Sequence, residues 1–327
     1  ERMPGGYGIE TGIEIAKALD GKVDLIHVSA GLDTEEAQAV HTHPTMFLPH
    51  GVNVHYAAAI KAAGVKTPVV TLGGITTPEL AEQILAEGKA DMVSMARGLI
   101  ADAQRPNKFY EGREDDVIPC IRCFHCLDYN RAPSFACSVN PTVGREKFLK
   151  MIAPEKAGQP KHVVVIGGGP AGMQCAMQCA DRGHDVTIVE RAGELGGKLV
   201  FSRQVSFKSC LAAFLDYQVR MVAKKGVRVL LNTEATPESV AAMKPDAVIS
   251  AVGADAFILP VPGVDGSNVL TAEEAYDRVK SGAPLGENLV VLGGGLVGCE
   301  TGLFLATEAR RSPSWRCSPR WPPTRCT

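Results

Sequence analysis

The sequence predicts an α/β fold built of parallel β/α units, arranged in about two successive domains. Short segments rich in β-branched residues alternate with helical patterns along the first hundred residues. Further along, two glycine-rich turns each follow a strand-like run and precede a helical pattern. Strands that alternate with helices indicate a parallel sheet, and 327 residues at roughly 150 per domain suggest about two domains.

Charge and composition exclude several classes of protein. Lys and Arg total 34 against 36 for Asp and Glu, so there is no basic excess of the kind that nucleic-acid binding needs. The apolar runs have strand length and fall far short of the ~20 residues of a membrane span. Ten cysteines are too sparse for a disulfide scaffold. We therefore expect a cytoplasmic protein with no nucleic-acid and no membrane partner.

The first segment, residues 1–115, is predicted to be the C-terminal part of a (β/α)8 TIM barrel. A complete barrel takes about 200–250 residues, and this segment has room for only half of one. Its predicted strands cover residues 23–30, 67–72 and 90–95, and its predicted helices cover residues 9–19, 52–63 and 78–87.

Two loops of this segment predict a phosphate site. Gly73 and Gly74 follow the second predicted strand, and Ala96 and Arg97 follow the third. In such barrels the loops after the last two strands commonly bind phosphate through backbone N–H groups. Glycine lets the backbone approach closely, and Arg97 adds a charge-assisted hydrogen bond. The alternative is that the two glycines only form a tight turn.

A cysteine cluster marks the second segment, residues 116–160. The spacing is C-x2-C-x2-C-x10-C and the candidate metal ligands are Cys120, Cys123, Cys126 and Cys137. Three cysteines within seven residues favour a 4Fe–4S cluster, while zinc and plain buried thiols remain alternatives. His125 is not expected to be a ligand, because four thiols complete the site. Residues 144–160 are interpreted as a linker.

The third segment, residues 161–285, carries a complete dinucleotide fingerprint. A predicted strand at 162–166 leads into Gly167, Gly169 and Gly172, then into a helix and a second strand that ends before Glu190. The glycines admit the turn and the pyrophosphate, the helix N-terminus neutralises it, and the acid takes the ribose hydroxyls.

Two more glycines extend this nucleotide site. Gly197 belongs to a second glycine-rich turn, and Gly253 ends a predicted strand at 246–253 that passes beneath the dinucleotide. The other cysteines of this segment, Cys175, Cys179 and Cys210, lack metal spacing, and the first two, four apart on one predicted helix, are expected to pack in the core.

A second fingerprint opens the fourth segment, residues 286–327. A predicted strand at 289–292 leads into Gly293, Gly295 and Gly298 and a helix. Two dinucleotide motifs in one chain suggest one flavin nucleotide and one nicotinamide nucleotide.

From residue 311 the composition changes, with both tryptophans and no acidic residue in the tail. We interpret residues 311–327 as the product of a one-base deletion in the gene, since one added G in suitably chosen codons gives EVTVVEMLPEVAADAMH. The acidic residue that ends this strand favours NADH over NADPH. The alternative is a disordered, proline-rich basic tail.

Four segments occur in an order that carries a family resemblance: residues 28–31, residues 92–97, the cysteine cluster at 120–137 and residues 165–172. The chain resembles the NADH:flavin oxidoreductases of the 2,4-dienoyl-CoA reductase and 2-enoate reductase group over about residues 1–308. That group joins an old-yellow-enzyme barrel to a Rossmann-like FAD/NAD(P)-binding module.

The resemblance implies four cofactors. FMN would lie near Gly73, Gly74, Ala96 and Arg97, and a 4Fe–4S cluster on Cys120, Cys123, Cys126 and Cys137. FAD would lie on Gly167, Gly169, Gly172, Glu190, Gly197 and Gly253, and NADH on Gly293, Gly295 and Gly298.

The implied activity is NADH-dependent reduction of an activated C=C bond in a small unsaturated substrate. Electrons would pass from NADH to FAD, through the cluster to FMN, and on to the substrate. The family's usual proton-donating Tyr belongs to the half of the barrel that this segment lacks, and His41 or His43 are the candidates for binding the substrate carbonyl.

Two further hypotheses stay open. One is an amine dehydrogenase of the same architecture, since a two-residue gap between the second and third cysteines occurs there as well as in enoate-type reductases. The other is a fragment without catalysis, at most an FAD-binding module.

Overall fold

A computed structural model describes residues 7–31, 40–127, 135–152, 156–286 and 288–311. The chain divides into two compact units, the larger comprising Glu1–Ser202 with Ser206–Val252 and the smaller Arg203–Val205 with Gly253–Thr327. In the described residues no helix combines the length and apolar character needed to cross a bilayer.

The larger unit begins with a three-stranded parallel sheet in the order β1-β2-β3. Its strands are β1 (Ile26–His27), β2 (Val69–Thr71) and β3 (Met92–Val93). The helices around it are α1 (Ile9–Leu19), α2 (Val54–Ala62), α3 (Pro78–Ala86), α4 (Ala96–Ala101) and α5 (Arg105–Tyr110). The predicted alternation of strand and helix is confirmed.

The strands are shorter than the sequence pattern predicts. Residues 23–25 precede β1 and are exposed, although the pattern includes them in a strand. Ladder hydrogen bonds to a neighbouring strand define a strand, whereas β-branched composition only favours one. The predicted start of α3 is confirmed, because Thr77 Oγ1 accepts a hydrogen bond from Leu80 N at 3.3 Å, one residue before Pro78.

The cysteine segment is mostly irregular, with short 3₁₀ turns at Glu114–Asp116 and His125–Leu127. The segment interpreted as a linker, residues 144–160, contains a helix that was not predicted, α6 (Glu146–Ile152). Glu, Lys, Leu and Met are strong helix formers, and no Gly or Pro occurs between residues 145 and 152.

A second parallel sheet follows, with four strands in the order β6-β5-β4-β7. Its strands are β4 (His162–Ile166), β5 (Asp185–Val189), β6 (Arg228–Leu230) and β7 (Ala247–Ser250). Its helices are α7 (Pro170–Asp181), α8 (Ser209–Lys224) and α9 (Pro237–Ala242). Val164 of β4 pairs with Thr187 on one side and Val248 on the other. The apolar run of β4 is buried because a parallel sheet is covered on both faces.

One apolar cluster joins the three parts of the larger unit. It contains Ala101 of α4, Ile121 and Val139 of the cysteine segment, and Phe214 and Tyr217 of α8. Side chains of Cys120 and Cys137 pack against the same cluster. The cysteine segment is therefore held by the first sheet's helices and by the second sheet's long helix together.

The smaller unit contains α10 (Ala272–Ser281) and α11 (Leu296–Arg311). The rings of Tyr276 and Phe304 lie 4.5 Å apart and pack the two helices together. The strand predicted at residues 289–292 is wrong: these residues are exposed and lie outside any strand, and among the described residues no strand pairs with them. An apolar run forms a strand only where a partner supplies ladder hydrogen bonds.

Candidate cofactor and metal site

The turn after β2 requires its two glycines. Gly73 and Gly74 have φ angles of 126° and 73°, a region that residues with a Cβ rarely adopt. A Cβ at Gly73 would lie 3.0 Å from the backbone N of Asn53, and one at Gly74 would lie 3.1 Å from Cζ of Arg122. The turn is thus packed closely against a helix cap and an arginine.

Arg97 lies in α4, directly after the exposed Ala96. Its Nη2 donates to the carbonyl of Pro44 at 2.8 Å, and its guanidinium lies 5.5 Å from the ring centre of Phe124. Its Nη1 is buried and has no hydrogen-bond partner among the described residues. This donor of Arg97 is therefore available to a group other than the described residues.

Arg122 is a second arginine at this turn, and the sequence pattern did not indicate it as a candidate site residue. Its Nε donates to the carbonyl of Pro44 at 3.2 Å and its Nη2 to that of Leu48 at 2.8 Å. Its Nη1 is buried without a partner in the described part of the chain. Burial lowers the pKa of Arg122 below its usual value. The sequence feature that could have identified Arg122 is its position between Cys120 and Cys123 of the metal motif.

Two more buried polar residues organise these loops and were also missed. Asn53 donates from Nδ2 to the carbonyl of His41 at 2.8 Å, and its Oδ1 is buried without a partner among the described residues. Arg105 donates to the carbonyls of Thr76 and Ile118 at 2.7 and 2.9 Å. Nothing in the sequence pattern distinguishes either residue, since burial of a polar side chain is decided by the tertiary fold.

The two histidines predicted to bind a substrate carbonyl precede α2, with His41 in a short helical stretch and His43 just after it. The ring of His43 meets the ring of Phe124 edge-on, with centres 6.2 Å apart. His50, which was not selected, contacts the glycine turn directly, because its Nδ1 lies 2.9 Å from the carbonyl O of Gly74. Burial lowers the pKa of His50, which favours the neutral ring.

The four cysteines of the predicted metal site line one small cavity together with Arg97 and Arg122. Burial raises the pKa of Cys126, and the thiols of Cys120 and Cys137 raise it further. In the part of the chain that the structure describes, the thiols do not reach the spacing of a formed metal site. The donor set nevertheless fits a thiophilic metal, since converging thiolates repel one another unless a cation binds them.

The loop that carries these cysteines wraps through two unusual residues. Arg122 and Phe124, on either side of Cys123, have φ angles of 56° and 67°. His125 is exposed and is not among the described residues that line the cavity. Its predicted exclusion from the ligand set stays a prediction.

The first dinucleotide turn requires glycine at two positions and leaves space at a third. A Cβ at Gly172 would lie 1.9 Å from the carbonyl O of Gly167, and one at Gly167 would lie 2.4 Å from that of Ala251. Around Gly169 no atom lies within 4 Å of the Cβ position. A Cβ at Gly197 would lie 3.1 Å from Cα of Gly169, so the second glycine-rich turn adjoins the first.

Glu190 stabilises this turn through hydrogen bonds to two backbone amides. Its Oε2 accepts a hydrogen bond from Gly168 N at 2.6 Å, and its Oε1 accepts one from Ala192 N at 2.7 Å. A carboxylate offers about four lone-pair sites, so acceptor capacity remains for ribose hydroxyls. The two amides also fix the orientation of the carboxylate.

The second dinucleotide turn repeats the geometry of the first. Gly293 has a φ of 110°, close to the 104° of Gly167. A Cβ at Gly298 would lie 2.0 Å from the carbonyl O of Gly293, and Gly295 has open space around it. Gly253 has a φ of 81° and likewise has open space around it.

These features define a class: an α/β oxidoreductase that combines barrel-type β/α loops with dinucleotide turns. Residues 3–116 match the model of the NADH:flavin oxidoreductase / NADH oxidase family. Residues 161–311 match that of the pyridine nucleotide-disulphide oxidoreductases. The partial TIM barrel followed by a Rossmann-like module, as predicted, is confirmed.

Three known proteins are similar along most of the chain. An NADH oxidase of Thermoanaerobacter brockii is 38% identical over 95% of this chain and 48% of its own length. A cinnamate reductase of Clostridium sporogenes is 36% identical over 93% of this chain and 44% of its own length. The solved 2-naphthoyl-CoA reductase complex has a TM-score of 0.84 at 31% identity, covering 94% of this chain and 46% of that one.

The chain belongs to the NADH:flavin oxidoreductases in which the flavin barrel is fused to an FAD/NAD module. It spans about half the length of the relatives that it matches. The resemblance drawn from the sequence is confirmed at the level of the family.

Proposed function

We propose that the gene product that carries this chain is an NADH-dependent flavin and iron–sulfur oxidoreductase that reduces activated C=C bonds in enoates, enoyl-CoA esters or enones. The observation that carries the proposal is the shared apolar cluster of the larger unit. It brings the cysteine loop into contact with both α4, which carries Arg97, and α8 of the dinucleotide module. A centre on the cysteines would therefore adjoin both cofactor regions of that unit.

At the barrel turn, Gly73, Gly74, Ala96 and Arg97 would hold the FMN phosphate. The close-packed backbone of the turn and the unpartnered Nη1 of Arg97 support this assignment. An anion there would satisfy a buried donor that has no acceptor among the described residues.

In the dinucleotide module, Gly167, Gly169, Gly172, Glu190, Gly197 and Gly253 would hold FAD. The open space at Gly169 admits a pyrophosphate to the N-terminus of α7, and Glu190 keeps acceptor capacity for the ribose. Gly293, Gly295 and Gly298 would hold NADH, a role supported by a turn geometry that repeats that of the first fingerprint.

Cys120, Cys123, Cys126 and Cys137 would hold the 4Fe–4S cluster. When these groups are bound, the flavins exchange hydride with nicotinamide and substrate and the cluster carries single electrons. His41 or His43 would bind the carbonyl of the unsaturated substrate, and their place beside the loop of Pro44 supports that role.

The proposal is tested by purifying the full-length gene product without oxygen and assaying NADH oxidation with cinnamate as an α,β-unsaturated acid. We expect one saturated product per NADH consumed, together with bound FMN, FAD and iron. A matched assay supplies trimethylamine and an artificial electron acceptor in place of cinnamate and NADH. Turnover in the amine assay alone would replace the proposal by an amine dehydrogenase, and FAD without FMN or iron would leave only a FAD-binding module.

A further inference from the structure

Two arginines beside the cysteine loop have no carboxylate partner among the described residues. The guanidinium groups of Arg97 and Arg122 donate to the same carbonyl oxygen, that of Pro44. Neither forms an ion pair with a carboxylate among the described residues, and each has a buried Nη1 without an acceptor there. Two like charges held together at a buried site are unfavourable unless an anion lies between or beside them.

The backbone conformation of Arg122 indicates that an arginine has a specific role at this position. Its φ of 56° lies in the left-handed region, where glycine is unstrained and a residue with a Cβ is disfavoured. Arg122 is also only 2% exposed, so the strain does not serve to place a charge in water. A glycine would satisfy the loop geometry, whereas arginine adds hydrogen bonds to the carbonyls of Pro44 and Leu48 and a buried charge.

Arg122 hydrogen-bonds to the thiol of Cys210, and the set of groups beside both arginines that could become anionic is the cysteine site. Arg122 lies in sequence between Cys120 and Cys123, and both arginines line the cavity that the four thiols line. A cluster held by four thiolates is an anion and gains one unit of negative charge on reduction. A buried cation beside it is weakly screened and stabilises the reduced form more than the oxidised form.

We propose that Arg122 raises the reduction potential of the iron–sulfur centre on the four cysteines, with Arg97 as a second cation at the same cavity. The inference rests on the proposed function, because it requires that the cysteines hold such a centre. It adds a charged residue that sets how readily the centre accepts an electron.

The test is a redox titration of the centre in the anaerobically purified protein, followed by EPR spectroscopy, with iron and FMN measured on the same samples. In Arg122→Gln we expect the ratio of reduced to oxidised centre at a fixed potential to fall about tenfold or more, equivalent to ~59 mV for one electron. Arg122→Gly removes the same charge while relieving the left-handed strain, and we expect the same shift. Arg122→Lys keeps a charge, and we expect a potential near that of the wild type.

Arg113→Gln is the matched control. Arg113 is an exposed arginine that pairs with Glu111 and Asp116 and is not among the described residues that line the cavity, so its replacement removes the same charge elsewhere. We expect its potential to equal that of the wild type.

Each other outcome has a definite meaning. Equal potentials in the wild type and both neutral variants at equal iron content would overturn the inference and leave the proposed function intact. Loss of bound FMN with an unchanged reduction potential would also overturn the inference, and would indicate that Arg122 instead stabilises the proposed FMN-binding turn at Gly74. Loss of iron from both neutral variants would reduce Arg122 to a structural role. A wild-type protein that binds no iron would overturn the proposed function itself.

Discussion

At the scale of single residues, the nucleotide turns show why the glycine patterns could be recognised in the sequence. Gly172 and Gly298 each meet a backbone carbonyl where a Cβ would lie, while Gly169 and Gly295 have open space. The fingerprint therefore mixes glycines that the fold requires with glycines around which the fold leaves open space, as the proposed nucleotide binding would need. The sequence pattern predicts all of them, but only the structure separates the two kinds.

This difference predicts opposite effects for two substitutions. Gly172→Ala places a Cβ 1.9 Å from the carbonyl O of Gly167, so we expect a loss of at least about 3 kcal/mol in the stability of the module. Gly169→Ala meets no atom, so we expect near-normal stability but FAD affinity reduced at least about tenfold, because the Cβ occupies the space for the pyrophosphate. Urea unfolding and FAD titration measure the two effects. A stable Gly172→Ala protein would contradict the account of the turn.

The cysteines supply a second residue-scale prediction. Cys126→Ala removes one thiol of the cavity, so we expect bound iron to fall to less than half of the wild-type content. Cys175→Ala is the control, because Cys175 packs against the apolar core of the second sheet, where burial raises its pKa to about 11. Iron analysis of the two purified variants is the measurement. Equal iron loss in both would exclude Cys126 as a ligand.

The arginines and Asn53 mark the limit of residue-level prediction. Arg97 was found because it follows a strand within a predicted phosphate loop, a position that the fold class makes informative. Arg122, Arg105 and Asn53 donate to backbone carbonyls that lie 7 to 78 positions away in the sequence. A local sequence pattern therefore does not predict these hydrogen-bond partners.

At the scale of elements, the apolar patterns predicted strands β1 to β5 and β7, whereas β6 and several helices lay outside the predicted segments, and two interpretations differed from the structure. α6 was missed because charged residues were taken as a sign of a linker, although they are good helix formers. The strand at 289–292 was predicted from an apolar run, but a strand also needs a partner. Strand ends were overestimated for the same reason.

The contact between the cysteine segment and α8 predicts a pH-dependent stability. Lys224 Nζ lies 2.6 and 2.8 Å from the two carboxylate oxygens of Asp116, and this hydrogen bonding lowers the pKa of Asp116 from its usual 3.8. A lowered carboxyl pKa stabilises the fold above about pH 4, and this stabilisation is lost as the pH falls through the folded-state value.

We therefore expect Asp116→Asn to lower the stability at pH 7 by about 1 kcal/mol, since Lys224 is largely exposed. The difference from the wild type should shrink as the pH falls below 3.8. The control is Asp115→Asn, because Asp115 is 86% exposed and its ion pair with Arg220 is long at 3.6 Å. Thermal unfolding across the pH range tests this, and a difference that grows in acid would contradict it.

At the scale of the whole molecule, the order of the modules was readable because each carries its own local motif. The apolar cluster that joins them was not, since it draws single residues from α4, the cysteine segment and α8. No sequence window contains more than a part of it.

Because this cluster packs α4, the cysteine segment and α8 together, we expect its disruption to affect stability and the cysteine site at the same time. Phe214 is buried in it, so we expect Phe214→Ala to lower stability by about 3–5 kcal/mol and to reduce iron content. Phe148 is 58% exposed, and we expect Phe148→Ala to change stability by less than about 0.5 kcal/mol. Unfolding midpoints and iron analysis report both. Retained stability in Phe214→Ala would show that the segments do not depend on this packing.

The central claim is that the four cysteines hold an iron–sulfur centre placed next to the flavin and dinucleotide regions. The most direct test is EPR spectroscopy of the anaerobic, dithionite-reduced protein together with iron and acid-labile sulfide analysis. We predict about four irons and four sulfides per chain and a low-temperature signal of a reduced 4Fe–4S cluster, the composition of a cube held by four thiolates. Bound zinc in place of iron, or free thiols without any metal, would contradict the account.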